Sequence, residues 1–327
     1  MDEYIAGILV YDEEKGGNMI TQRSPRNKTL QLSPKEQRTY SRQLITLDGP
    51  VSAAAITDRI IRQDLFDALP FLPQGFADLL VIDPPYNLTK DFGDKRFQRA
   101  PDADYQAWVM EWLPALCATL KPTASIYVCS DWRTSPLMYP LLADLFVVRN
   151  RITWEREKGR GASANWKNAA EDIWFCTVGA DYTFNIDAVK LLRRVLAPYR
   201  GADGNPKDWA EDHHGRTRLT HPSNLWTDIT VPFWSMAENT DHPTQKPEKL
   251  IAKLILASSE PGDMVFDPFL GSGTSAVVAK KLQRQYVGIE IDPTYACLAE
   301  KRLALAEENP RIQGYRDGVF WERNSRA

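Results

Sequence analysis

A carboxylate, two prolines and a tyrosine follow one another at Asp83-Pro84-Pro85-Tyr86, directly after the apolar run Leu79-Leu80-Val81-Ile82. Four apolar residues in a row read as a strand covered on both faces. The polar residues therefore stand at the exit of a buried strand. Pro84 has no N–H and its carbonyl faces no ladder, so that oxygen is free to accept a hydrogen bond. Asp83 supplies a second acceptor beside it. Two acceptors held together suit a planar exocyclic amine on a nucleobase, and Tyr86 offers a ring on which such a base can stack. The plain alternative is a strand-ending Asx turn with a core tyrosine.

A second constellation lies near the C-terminus, in FDPFLGSGTSAVVA from Phe266 to Ala279. It reads as a strand, a tight loop and a helix start. Gly271 and Gly273 let the backbone approach a bound molecule closely, and free N–H groups at the helix start favour an anion or carboxylate. Glu290 follows roughly 20 residues later, at the end of the next strand, where an acid can accept from both hydroxyls of a ribose. NAD would need a second mononucleotide half, and too little chain follows Glu290 for one. A P-loop would need a Gly-Lys-Thr/Ser ending, which this loop lacks. S-adenosylmethionine suits the pattern better, with its ribose for Glu290 and a small carboxylate end for the glycine loop.

These residues need elements to hold them. RIIRQD (59–64) reads as a strand, followed by a turn around Leu65 to Pro70, and ADLLVID (77–83) as the next strand. Apolar spacing predicts a helix from about Ala103 to Leu120 and another over SPLMYPLLADL (135–145), with strands at KPTASIYVCSD, VVRNRITWERE and EDIWFCTVG. Residues 185–240 break this rhythm with glycines, prolines and aromatics and read as an insertion. KPEKLIAKLILASSE then reads as a helix with Pro247 at its first turn. The strand DMVFD, the helix SAVVAKKL, the strand YVGIEID and a helix from Pro293 to about Glu308 follow. Alternating strands and helices argue an α/β sheet with helices on both faces.

Bulk properties narrow the class. The chain has 327 residues, 43% of them hydrophobic, and a formal charge of -3, with a mean hydropathy of -0.40. No apolar run is long enough to span a membrane, and the acidic N-terminus does not resemble a signal peptide. The four cysteines have no zinc-ligand spacing and read as buried thiols of a reducing, cytosolic compartment. His213, His214, His221 and His242 are irregularly spaced in a loop-rich region, so no metal site is expected. The net charge does not attract DNA, but a local patch can. Between Arg149 and Asn168 there are six basic residues against two acids. A solvated face is one reading. A loop contacting DNA phosphates through Arg156, Lys158, Arg160 and Lys167 is the other.

DPPYN (83–87), followed by HPTQKPEKL (242–250), FDPFLGSGT (266–274) and GIEID (288–292), resembles the amino-methyltransferases that methylate adenine N6 or cytosine N4 in DNA. The order, with DPPY first and the glycine loop late, is similar to their beta group, of the kind found in type II restriction-modification systems. RIIRQDLFDAL, SIYVCSDW, ITWEREKG, EDIWFCTVG and SNLWTDI extend the likeness over about residues 60 to 305.

The resemblance implies a mixed, Rossmann-like sheet of seven strands with circularly permuted element order and a small irregular target-recognition region. It implies S-adenosylmethionine held by the loop from Asp267 to Thr274, including Phe269, Gly271 and Gly273, with Glu290 on the ribose. Asp64 with Leu65 or Phe66 would lie against the adenine, and Lys246 would be a partner for the carboxylate. Asp83, beside the cofactor, would hold a flipped base together with Pro84 and Tyr86. Segments 54–181 and 241–310 would form the catalytic and cofactor-binding domain, and 182–240 the target-recognition region. Residues 1–53 would be an extension of no assigned role, and 311–327 a C-terminal tail. The substrate implied is double-stranded DNA in a bacterial or archaeal cytoplasm. A homodimer, and a restriction endonuclease acting on the same site without a stable complex, are left open. An aspartate opening the tetrad goes with adenine in this family, and a serine with cytosine, so N6-adenine is expected. N4-cytosine methylation, a NAD-dependent oxidoreductase and a non-catalytic DNA-binding protein are the alternatives.

Overall fold

The computed structural model describes residues 24–92, 95–156, 164–195, 199–212 and 215–322, with the backbone of two short strands at Ile8–Val10 and Ile20–Gln22. Its centre is a mixed sheet. The strands are β1 (Arg59–Ile61), β2 (Ala77–Ile82), β3 (Leu120–Asp131), β4 (Val147–Glu155), β5 (Ala170–Thr177), β6 (Leu225–Trp226), β7 (Met264–Asp267) and β8 (Gln285–Ile289). Their spatial order is β6-β4-β5-β3-β2-β7-β8-β1. Seven of them make the expected sheet, and the two-residue β6 adds to its edge. β5 runs antiparallel to both neighbours, and the remaining pairs are parallel.

β2 and β7 are neighbours, with Leu79 opposite Val265 and Leu80 opposite Phe266. The two strands singled out by their motifs therefore end side by side at the carboxyl edge, where open α/β sheets bind ligands. The unbroken apolar run of β2 is explained by its position. Leu79 and Val81 face a cluster packed by α3 (Glu248–Ser258), α4 (Thr274–Lys281) and α5 (Pro293–Glu308). Leu80 and Ile82 face the opposite cluster, under α1 (Asp102–Cys117) and α2 (Ser135–Leu145).

Local chemistry sets the ends of the elements. The helix expected to reach Leu120 stops at Cys117, and the Thr119 hydroxyl donates to the Leu116 carbonyl at 2.6 Å just beyond it. The expected turn after β1 is instead a helical turn, Leu65–Ala68, because the Asp64 side chain accepts from Phe66 N–H at 2.9 Å and caps it.

The irregular stretch contains strands of its own. Ala210–Asp212, Gly215–Thr220 and Leu191–Arg194 form a second sheet, completed by Val319–Trp321 and Tyr315–Arg316 from the C-terminal segment. α3 lies between the two sheets and is buried along its whole length. Its charges are therefore all paired. Glu248 meets Lys281 and Arg302, while Lys249 and Lys253 both meet Asp228 at 2.7 Å. Ahead of β1, Ile45 bridges to Ile61, and Leu30 bridges to Thr240. All four cysteines are free thiols. Among the described residues, no helix is long and apolar enough to cross a membrane.

Candidate active site

At the carboxyl edge of the central sheet lies a cavity of about 520 Å³, within the usual range for a small-molecule site. Its wall takes in Asp64, Leu65 and Phe66 after β1, Asp83, Pro84 and Tyr86 after β2, and Lys246 before α3. Asp267 at the end of β7, Phe269 and Gly271 after it, Thr274 at the start of α4, and Glu290 after β8 also line it. Arg156 and His242 also reach it. Loops far apart in sequence converge because the parallel strands that carry them are neighbours.

One end of the cavity is built around Asp83. Lys246 Nζ lies 2.7 Å from both carboxylate oxygens, and the Tyr86 hydroxyl donates to Oδ1 at 2.9 Å. Oδ2 thus keeps a lone pair for one further donor. The loop is held rigidly. Buried Asn87 donates to the Ala100 carbonyl at 3.0 Å and accepts from Ala100 N–H at 2.9 Å. The Tyr105 hydroxyl donates to the Pro85 carbonyl at 3.0 Å. Burial and the charges of Asp83 and Glu171 push the Tyr86 hydroxyl well above its ordinary pKa, so it stays a donor. Burial works against the Lys246 charge, but Asp83 and Glu171 outweigh it and hold the ammonium protonated.

The other end is built around the glycine loop. Glu290 accepts from Gly271 N–H and from Asp292 N–H, each at 2.7 Å. One bond falls on each oxygen, which fixes the carboxylate and leaves each oxygen able to accept again. Asp267 accepts from Phe269 N–H at 3.0 Å and from the Ser275 hydroxyl at 2.5 Å. Burial pushes both acids up to about 7. Gly271 has a φ of 57°, and a Cβ there would lie 3.0 Å from His242 Nε2.

Four expected residues stand elsewhere in the arrangement. Gly273 does not line the cavity. Its φ of 86° starts α4 where a Cβ would lie 2.5 Å from Ala299 Cβ on α5. Lys246 turns its ammonium to Asp83 rather than to the glycine loop, and only its carbonyl faces that way, accepting from the Thr274 hydroxyl at 3.1 Å. Arg156 is ion-paired with Glu171. Lys167 is exposed outside the cavity wall. Lys158, Arg160, His213 and His214 lie outside the described residues. No cluster suited to a metal ion occurs among the described residues.

Glu171 was not singled out in the sequence. Only 5% of its side chain is exposed, and it lies 3.4 Å from both Lys246 Nζ and the Tyr86 hydroxyl. It opens β5 opposite Asp131, another acid of the cavity wall. An acid at the mouth of an otherwise apolar strand, as at Asp83, is the signal that could have found it.

A family model described as DNA methylase, of the N6/N4 type, matches residues 77–301. The type II methyltransferase M.HpaI of Haemophilus parainfluenzae is 34% identical over 252 residues, covering 75% of this chain and 74% of that protein. The DNA adenine methyltransferase YhdJ of Escherichia coli K12 is 33% identical over 277 residues, covering 81% and 90%. Among solved structures, the cytosine-N4-specific PvuII DNA methyltransferase aligns with a TM-score of 0.56 at 18% identity, over 80% of this chain and 88% of that one. A putative DNA modification methylase of Thermus thermophilus, in complex with S-adenosyl-L-methionine, aligns with a TM-score of 0.50 at 22% identity, over 82% and 99%. The extent of the family match, the identity to these relatives and the order of the two loops lead to one conclusion: the chain belongs to the N6-adenine/N4-cytosine DNA methylase family, as a DNA amino-methyltransferase of the beta class.

Proposed function

We propose that the protein methylates the exocyclic N6 of an adenine flipped out of double-stranded DNA, using S-adenosylmethionine. The observation that carries this reading is the opposition, across one cavity, of Asp83 and Pro84 to Glu290 and the glycine loop. The donor set suits the cofactor. Glu290 is pre-oriented with lone pairs to spare for two ribose hydroxyls, and Gly271 brings bare backbone to the wall. Leu65 and Phe66 offer apolar surface for an adenine ring, and Asp64 an acceptor for its amine. Bound there, S-adenosylmethionine supplies an electrophilic methyl group.

The remaining chemistry belongs to the chain. An exocyclic base nitrogen is a weak nucleophile because its lone pair is delocalised into the ring. Asp83 Oδ2 and the Pro84 carbonyl accept its two N–H bonds, favouring a pyramidal nitrogen with a localised pair. The same acceptors stabilise the positive charge that develops there, so the interaction strengthens toward the transition state. Lys246 donates to both oxygens of Asp83, and Tyr86, tethered through its hydroxyl, presents a ring to the base. The proton leaves the amine to Asp83 or to solvent. Alignment of the reacting atoms contributes much of the remaining acceleration.

Adenine is chosen over cytosine on two grounds. The tetrad opens with aspartate, which goes with adenine in the family that the sequence resembles. YhdJ, a relative matched over most of both chains, is named as an adenine methyltransferase. Expression in a methylation-free bacterial host, followed by modification-sensitive sequencing, tests the proposal. N6-methyladenine in one sequence context is the expected result. N4-methylcytosine as the sole product would overturn the choice of base, and unmodified DNA would overturn the substrate.

A further inference from the structure

The connection between β4 and β5 leaves the carboxyl edge of the sheet beside the cavity. Its base is fixed: Glu155 pairs with Ala170, and Arg156 N–H donates to the Ala169 carbonyl at 2.7 Å. Arg156 and Asn168, near its two ends, both line the cavity. Trp166, two residues before Asn168 and four before β5 begins, is 94% exposed. Its own amide is held locally, donating to Asn165 Oδ1 at 2.7 Å, and Lys167 beside it is exposed as well. Two residues of chain span at most about 7 Å, so the backbone of Trp166 lies within that reach of Asn168 in the cavity wall.

An indole with nearly all its surface in water contributes no packing to the fold, and covering that surface is favourable. The proposed function supplies the cover. A base drawn into the cavity leaves a gap in the duplex, bounded above and below by the bare faces of its former neighbours. A flat apolar side chain fills such a gap, and proteins that unstack DNA insert wedges of this kind. Trp132, the other strongly exposed tryptophan near this edge, has the Arg133 guanidinium 4.9 Å from its ring centroid, so one face is already taken. We propose that Trp166 enters the DNA stack at the place vacated by the target base and holds that base extruded, with Lys167 beside it facing the phosphates.

This inference rests on the base-flipping reading of the Asp83 site, and the experiment separates the two. Transfer of labelled methyl groups is measured for the wild type, Trp166→Ala and Trp166→Phe on two duplexes carrying the modified sequence. One duplex is fully paired, and in the other the target base lies opposite an abasic site, where extrusion costs little. Trp166→Ala should lose about tenfold or more in kcat/KM on the paired duplex and return to within about threefold of wild type on the other. Trp166→Phe should keep most of the activity on both. Calorimetry with S-adenosylhomocysteine, expected to be unchanged, verifies the fold of each variant. Wild-type activity of Trp166→Ala on paired DNA, or an equal loss on both duplexes, would overturn the wedge. A wild-type protein that labels neither duplex would overturn the proposed function, and the wedge with it.

Discussion

Asp83 illustrates how much one side chain depends on partners that only folding provides. Its place at the end of β2 is legible from four apolar residues followed by DPPY. Its pairing with Lys246 is not, because that contact joins two loops through space. The family resemblance makes Lys246 an expected partner for the cofactor's carboxylate. Folding points it at the convergence of Asp83 and Glu171, where a buried cation offsets two carboxylates. Asp83→Ala should therefore reduce methyl transfer by at least about 10²–10³-fold, while calorimetry shows S-adenosylhomocysteine still binding. Turnover near the wild-type rate would remove Asp83 from the mechanism. Lys246→Met should destabilise the fold by about 3–5 kcal/mol, because it leaves Asp83 without its counter-charge while Glu171 keeps only Arg156. Urea unfolding measures this, and a shift below about 1 kcal/mol would mean that water replaces the ammonium freely.

At the scale of elements, the regular pieces follow from periodicity and the irregular ones do not. The helices expected over 135–145, 246–260 and 293–308 are found at 135–145, 248–258 and 293–308. The helical turn after β1 is hidden because it is one turn long and depends on the Asp64 cap. The second sheet is hidden for a different reason. Leu191–Arg194 pairs with Val319–Trp321, strands separated by most of the C-terminal half, and neither carries a clear two-residue alternation. The glycine loop is legible as a site, but the division of labour within it is steric. Gly271 faces the cavity, whereas Gly273 lets α4 and α5 touch. Gly273→Ala should cost about 1–3 kcal/mol and weaken cofactor affinity, since a Cβ would meet Ala299 at 2.5 Å. Gly75→Ala is the control, with a φ of 59° but open space around the added carbon. It should cost only about 1 kcal/mol and leave affinity unchanged. Equal effects in thermal melts would mean that the contact with α5 is unimportant.

For the whole molecule, two groups of buried charges join separate parts of the chain. Asp228, just after β6, is tied to α3 through Lys249 and Lys253, and Lys249 also donates to the Trp321 carbonyl of the second sheet. Asp228→Asn strands two buried ammonium groups and should lower stability by about 3–5 kcal/mol in urea. An unchanged midpoint would refute that link. Glu290 and Asp267 form the other group. They ionise near 7 when folded, against ordinary values of 4.5 and 3.8. The folded chain thus holds extra protons in that window, and their contribution to stability is lost as pH rises through about 7. Ribose hydroxyls donate to ionised Glu290, so binding should release protons. The thermal shift caused by S-adenosylhomocysteine should therefore be larger at about pH 8 than at about pH 6, and equal shifts would contradict this role for Glu290.

The central claim, that Asp83 and the glycine loop together move a methyl group onto adenine N6 in DNA, has one direct test. Purified wild-type and Asp83→Ala proteins are incubated with methyl-labelled S-adenosylmethionine and plasmid DNA, and the DNA is then digested to nucleosides for mass spectrometry. Labelled N6-methyldeoxyadenosine from the wild type, and at most a trace from Asp83→Ala, is the predicted result. DNA without label, label only on cytosine, or equal labelling by both proteins would contradict it.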